Sequence, residues 1–264
     1  MKILVIVRQV PDSTTVIKIH PDGQDIDRTG IKMVVNPFDE FAIEQAVQLR
    51  EKRKDVESVT ALIVGPAAAG EALRTALAVG ADDGIHLQDP AFDNLDELQT
   101  AALIAAAIKD GGYRLILIGK QEIDLDSGQL GPALAELLDL PHVGATVKFD
   151  LAEDGSSFQA RRRIEGAEEV VEVRLPAVVT CDKGLCEMRY PSLPNLMKAK
   201  KKPVRVIKAA ELPGLSDALS AVGGTVMHTF QPPPERPPGK LIAGEPEEAA
   251  KELVRLLREE AKAI

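Results

Sequence analysis

Apolar runs too short to be helices recur along the first two thirds of the chain. Ile3–Val7, Val59–Val64, Leu115–Ile118 and Ala177–Cys181 are each nearly unbroken, and Gly84–Leu87 is a short fifth. Continuous runs of this length, rich in Val, Ile and Leu, read as strands buried on both faces. Between them the period changes to that of a helix. Asn36–Lys54 places Phe38, Ala42, Ala46 and Leu49 on one face. Asn36 is predicted to cap that helix, Pro37 suits its first turn, and Asp39 and Glu40 favour its dipole. Gly70–Val79 is predicted as a helix closed by Gly80, Leu95–Lys109 as one stopped at Gly111-Gly112, and Asp126–Leu138 as another. Strand alternating with helix predicts βαβ units, hence a doubly wound, mostly parallel α/β sheet with helices on both faces.

From Thr146 the pattern becomes β throughout. Val147–Leu151, Phe158–Ile164 and Val170–Leu175 are predicted as successive antiparallel strands, with Asp154-Gly155 as a turn, so the sheet should carry an antiparallel hairpin extension. The triplet Arg161-Arg162-Arg163 with Glu165, Glu168 and Glu169 suits cross-strand charge pairs there. After Pro203, Val204–Ile207 reads as one more strand. Gln231–Gly239, with five prolines, reads as an extended arm. Glu247–Ile264 reads as an amphipathic helix with Ala250, Leu253, Leu257 and Ala261 on one face. The domain reading is residues 1–186 as an α/β domain, 187–203 as a recognition loop and 204–264 as an arm with its helix.

Composition narrows the function classes. Aromatics make up only 3% of the 264 residues, so the core must be built from aliphatic side chains, as a parallel sheet requires. A net charge of -9 argues against a nucleic-acid surface. No apolar run approaches the ~20 residues of a membrane span, and the N-terminal run is too short for a signal-peptide core. The expectation is a cytoplasmic chain without membrane insertion. Cys181 and Cys186 are too few for a zinc framework and read as unpaired thiols. His20, His86, His142 and His228 are scattered, with no metal or acid–base spacing, and read as surface or satisfied core residues. The chain shows no nucleophile elbow either. A reaction centre of its own is not expected.

The binding chemistry sits after the run Leu115–Ile118. The loop Gly119-Lys120-Gln121-Glu122-Ile123-Asp124-Leu125-Asp126-Ser127-Gly128-Gln129-Leu130 has the parts of a phosphate cradle. Gly119 allows close approach, Asp126 or Ser127 caps the next helix, and the N–H groups of Ser127 through Leu130 should point out free. It is neither a Walker loop nor a G-x-G-x-x-G turn. In an open α/β sheet, Ile6, Asn36 and Val64 should lie at the same carboxyl edge and reach a base and sugar. Asp124 and Asp126 read as loop-bracing groups rather than metal ligands.

The segment Glu187–Pro203 carries Leu193, Leu196 and Met197 beside four lysines in the five residues Lys198–Lys202. Pro191 and Pro194 argue against both helix and strand there. A hydrophobic hook beside a basic cluster looks made to meet another protein. The run Arg189-Tyr190 … Leu193-Pro194-Asn195-Leu196-Met197-Lys198-Ala199-Lys200-Lys201-Lys202 closely resembles the recognition loop of the electron transfer flavoprotein beta subunit. Four more segments agree with that family in the same order. They are Val35–Glu40, Leu73–Ala78 with Gly80-Ala81-Asp82, Gly119-Lys120-Gln121 … Asp126 … Gln129 with Gly131, and Leu175–Thr180.

The resemblance implies an adenine-nucleotide-binding, HUP-like fold and an electron carrier rather than an enzyme. It implies an alpha-subunit partner that holds most of one FAD, and a C-terminal arm wrapped on that partner. Electrons would come from acyl-CoA dehydrogenases or similar flavin dehydrogenases and pass to a quinone reductase, as in fatty acid oxidation. Contacts to a structural AMP would fall on Ile6, on Asn36, Pro37, Phe38 and Asp39, on Val64, and on Gly119, Lys120, Gln121, Asp124, Asp126, Ser127, Gly128, Gln129 and Leu130. Bifurcating members hold a second FAD instead and have glycine where this chain has Leu125, a side chain that would crowd a flavin. Tyr190, Leu193, Leu196 and Met197 would meet the dehydrogenase, and Lys198–Lys202 would steer or brace an interface. A stand-alone adenine-nucleotide-binding regulator of universal-stress type is the alternative, one that has no need of the hook or the proline-rich arm. An adenylylating enzyme would need an S-G-G-x-D-S run after the first strand, which the chain lacks.

Overall fold

The computed structural model describes every residue except His228 and Pro237. Two of the expectations above, for His228 and for the proline stretch at Pro237, therefore lie outside the described residues. The chain divides into two units, Met1–Ile17 with Arg28–His228, and Lys18–Asp27 with Thr229–Ile264.

The first unit is built on a nine-stranded sheet. Its strands are β1 (Lys2–Val7), β4 (Ser58–Val64), β5 (Asp83–Leu87), β6 (Tyr113–Gly119), β7 (His142–Leu151), β8 (Ser157–Ile164), β9 (Ala167–Arg174), β10 (Ala177–Cys181) and β11 (Val204–Ile207). Their order is β11-β5-β4-β1-β6-β10-β7-β8-β9, and the pairs from β11 through β7 are all parallel. β8 and β9 add the antiparallel extension, with Gly155 at φ +66 in the turn before β8. The short strands β2 (Gln9–Pro11) and β3 (Met33–Val35) form a separate antiparallel pair that the hydrophobic pattern did not signal.

The helices of this unit are α1 (Pro37–Lys52), α2 (Gly70–Val79), α3 (Glu97–Ile108), α4 (Leu130–Leu137), α5 (Leu193–Ala199) and α6 (Leu215–Val222). Two cores lie on opposite sheet faces. Ile3, Val5 and Val7 pack with residues of α1 and α2. Leu4 and Ile6 pack with residues of α3 and α4. That alternation is the two-residue period of a strand, so β1 is buried from both sides, as its unbroken apolar run required.

Four local expectations are corrected. The first of the three late strands begins at His142, and its first half pairs parallel to β10 before the rest pairs antiparallel to β8. Residues 193–199 are helical: Pro194 sits in the first turn, where a missing N–H does no harm, and Ser192 accepts the Asn195 N–H at 3.4 Å. Helix α4 starts at Leu130, not Asp126, which adopts φ +54 and cannot open a helix. Asn36 occupies the N-cap position of α1, but its side chain caps nothing and turns elsewhere.

The charge pairs of the extension form as read: Arg161–Glu168 at 3.3 Å and Arg162–Glu169 at 3.5 Å, while Arg163 reaches Asp182 at 3.0 Å. Both cysteines are free thiols. His86 is buried against Gly65 O at 3.0 Å, His20 pairs with Asp22, and His142 is half-buried with Nε2 unpartnered among the described residues. Among the described residues no His, Cys, Asp and Glu group could hold a metal, and no helix is long and apolar enough to cross a membrane.

In the second unit, Ile19 and Ile26 form an antiparallel bridge and α7 spans Pro246–Glu259. Its buried residue is Leu256, whereas Leu253, expected on the apolar face, is 47% exposed. Lys251 and Glu247 pair at 2.9 Å, the i,i+4 support expected of them.

Candidate functional site

The chain order reverses direction at β1, with β4 on one side and β6 on the other. The carboxyl ends of β1 and β6 therefore flank a topological switch point, where ligands enter open α/β sheets. Arg8 follows β1, Gly119 ends β6, and the start of α1 lies against both.

Arg8 organises this edge. Its guanidinium is 12% exposed and forks onto Asp39, with Nη2 to Oδ1 at 2.7 Å and Nε to Oδ2 at 3.1 Å. Nη1 donates to Glu122 Oε2 at 2.8 Å, and Nη2 also reaches the carbonyls of Gly119 and Gln121 at 3.0 and 3.2 Å. Asp39, with no solvent exposure, accepts the backbone N–H of Arg8 at 2.7 Å and that of Gly119 at 2.9 Å. Burial opposes the charge of Arg8, but the carboxylates of Asp39 and Glu122 outweigh it and raise the guanidinium's pKa. The end of β1, the first turn of α1 and the start of the β6 loop are thereby tied into one piece.

Glu122 has the opposite fate. Burial, reinforced by the nearby Glu97 carboxylate, pushes it up to about 8 in spite of Arg8. Glu97 itself accepts the Leu130 N–H at 2.8 Å. That amide, expected to stand free for an anion, is already taken. Gly119 also differs in its reason. A Cβ there would lie 2.3 Å from Asp39 Oδ1 and 2.6 Å from Asp39 N, so glycine is required by helix α1, not by a ligand.

The remaining expected contacts divide into two sets. Asn36 is fully buried and its Nδ2 donates to Gln121 O at 2.9 Å, so Asn36 and Asp39 both meet the loop after β6. Lys120 pairs with Asp182 at 3.3 Å and lies 5.0 Å over the Phe38 ring. Gln121 Nε2 donates to Asp126. Asp124, Asp126, Gly128, Gln129 and Pro37 are exposed, and Val64 and Ser127 are partly so. Leu130 and Ile6, by contrast, are packed in the α3–α4 core, and Ile6 is 1% exposed. Three buried polar atoms at this edge lack a partner among the described residues: Asn36 Oδ1, Glu122 Oε1 and Ser127 Oγ.

Sequence reasoning missed Arg8, Glu97 and Glu122 as a set. An arginine placed directly after a buried strand was the available signal, since strand carboxyl ends are where sites form.

The second candidate surface is the segment after β10. Tyr190 is 96% exposed, Leu193 78%, Met197 62% and Leu196 42%, which leaves four large apolar side chains in water on one short stretch. The lysines beside them are not equivalent. Lys202 donates to Leu77 O at 2.9 Å and Ala81 O at 2.5 Å, closing the end of α2, so it is not free to steer a partner. Lys198, Lys200 and Lys201 are exposed.

A family model for the electron transfer flavoprotein domain matches residues 25–212. The electron transfer flavoprotein subunit beta of Bacillus subtilis is 40% identical over the full length of both chains. Those of Sus scrofa and Homo sapiens are 41% and 39% identical over 98% of this chain and 97% of theirs. The chain belongs to the electron transfer flavoprotein beta-subunit family. That membership makes it one component of an electron-transferring flavoprotein, and the name subunit beta implies an alpha subunit beside it. Within the family frame, the two surfaces described above are the edge built on Arg8 and the exposed Tyr190–Met197 stretch.

Proposed function

We propose that this chain is the beta half of a heterodimeric electron transfer flavoprotein whose FAD is held mainly by the alpha subunit. It accepts electrons from acyl-CoA dehydrogenases or similar flavin dehydrogenases and delivers them toward a quinone reductase. Bound FAD supplies the redox chemistry; this chain supplies the docking surface and a structural nucleotide site. The observation that carries the reading is the exposed quartet Tyr190, Leu193, Leu196 and Met197, placed in a chain whose full-length relatives are beta subunits. Large apolar side chains held in water are the anchors of an interface.

The nucleotide we assign is AMP. Asn36 Oδ1 and Ser127 Oγ are buried without partners among the described residues, and buried polar atoms of that kind are normally satisfied. Asn36 through Asp39, Val64 and the Gly119–Leu130 loop would hold it, with Ile6 contributing through its backbone. Leu125, 55% exposed on that loop, is the residue that would crowd a bulkier flavin.

The test is co-expression with the alpha subunit, purification on this chain, and denaturing extraction of the small molecules. One FAD and one AMP per heterodimer is the expected result. Two FAD without AMP would overturn the nucleotide assignment. A homodimer carrying adenine nucleotide and no flavin would overturn the carrier itself.

A further inference from the structure

We propose that Arg189 is a positioning residue for docking: it fixes the exposed anchors of the electron-transfer surface by clamping their segment to helix α1. The proposal rests on the docking reading of Tyr190 and Leu193 given above.

Residues 187–192 have no regular secondary structure, yet they deliver Tyr190 and lead straight into Leu193. Arg189 supplies the missing order. Its Nε and Nη2 fork onto Glu44 at 2.8 and 2.9 Å, and its Nη1 and Nη2 fork onto Glu51 at 2.6 and 2.8 Å. Its backbone N–H also reaches Glu44 at 3.4 Å. Glu44 and Glu51 stand seven residues apart on α1, two turns along the same face, so one planar guanidinium spans both. Glu44 is held in place by Gln48 Nε2 at 2.8 Å. The segment's other end is tied separately, through buried Ala199 and the Lys202 bonds to the end of α2. The four apolar side chains therefore sit between two fixed points on two helices.

A clamp at this place does its work before contact. A flexible segment would have to be ordered when the partner binds, at the expense of affinity, and preordering removes that loss. Lysine keeps the charge but cannot make two planar forks, so it replaces the function only in part.

The experiment uses the heterodimer with an acyl-CoA dehydrogenase and its acyl-CoA as electron donor. The variants are Leu193→Ala, Arg189→Gln, Arg189→Lys and Glu51→Gln. The readouts are KM for the heterodimer, kcat, FAD and AMP content, and flavin reduction by dithionite, which involves no docking. Arg189→Gln should raise KM about tenfold with little change in kcat, Arg189→Lys and Glu51→Gln should fall between it and the unmutated protein, and the dithionite reaction and cofactor content should not move. A KM within about twofold of unmutated in Arg189→Gln, with Leu193→Ala impaired, would overturn the positioning role. Were Arg189→Gln not to fold, an unchanged KM in both Arg189→Lys and Glu51→Gln would overturn it equally. An unchanged Leu193→Ala would instead overturn the docking reading on which it stands.

Discussion

Two arginines in this chain each grip two acidic side chains, in different surroundings. Arg8 is 12% exposed and its partners Asp39 and Glu122 are 0% and 7% exposed. Arg189 is 35% exposed, with Glu44 at 3% and Glu51 at 54%. The fork chemistry is shared, but the surroundings set what it does. Where water cannot reach, removing one partner strands a charge, and the damage falls on folding, roughly 3–5 kcal/mol. Where water can reach, as at the Glu51 arm of Arg189, it screens the pair, which adds only about 0.2–1 kcal/mol, and losing that arm changes mainly where the attached segment points. The inner clamp holds the fold's switch point together, whereas the outer one aims a surface.

The largest effect should therefore come from the inner clamp. In Asp39→Ala, Arg8 loses its fork, and the N–H groups of Arg8 and Gly119 lose their acceptor together. Unfolding by denaturant should show a loss of about 3–5 kcal/mol, with the proposed nucleotide site lost alongside. A loss below about 1 kcal/mol would mean that water or another carboxylate takes over at Arg8, and the contrast between the two clamps would collapse.

Next in size is a pH effect peculiar to the inner clamp. Glu122 is pushed up from 4.5 to about 8, chiefly by burial and then by Glu97, while Arg8 pulls the other way. Arg8 faces it from the end of β1, Glu97 from α3, and Asp124 from its own loop. Between pH 4.5 and about 8 the folded chain keeps a proton on Glu122 that the unfolded chain has released. Stability contributed by that proton is thus complete below pH 4.5, falls as the pH rises through this window, and is gone above about 8. Glu122→Gln keeps the shape without the titration, so its stability should lose this slope and exceed that of the unmutated chain at the alkaline end. Parallel slopes in the two proteins across that range would remove Glu122 from the account. Glu51, lowered by its bond to Arg189, should add no alkaline slope.

How far these regions were legible in the sequence follows from the range of their interactions. Helix α2 and strand β10 have the bounds read from the chain, Gly70–Val79 and Ala177–Cys181. Each is a self-contained run with its own stop, Gly80 or the flanking Pro176. The start of α4 was misplaced because Asp126 looks like a cap, while the structure sends it to φ +54 and leaves Glu97, 33 residues away, to receive the Leu130 amide. Helix α5 was missed because Pro194 was weighed as a breaker rather than as a first-turn residue. Helix α6 was missed although Leu215, Ala218, Leu219 and Val222 follow a helical spacing, because the run is only eight residues long. The exposed quartet was legible, since apolar residues beside lysines stand out locally. The clamps were not: Arg8 meets Glu122 across 114 positions and Arg189 meets Glu44 across 145, distances over which no spacing rule operates.

The smallest effect tests the comparison from its other side. Glu51 is more than half exposed, and Glu51→Gln leaves the Glu44 fork intact. The folded chain should lose only about 0.2–1 kcal/mol, because solvent already screens that arm. Added salt should shrink the difference further, since an exposed pair is weakened within a Debye length of about 8 Å at physiological ionic strength. Denaturant titrations at low and high salt would read this directly. A loss of several kcal/mol, insensitive to salt, would place Glu51 with the inner clamp. The Arg189 grip would then be part of the fold's foundation, and a change in docking could no longer be separated from a change in folding.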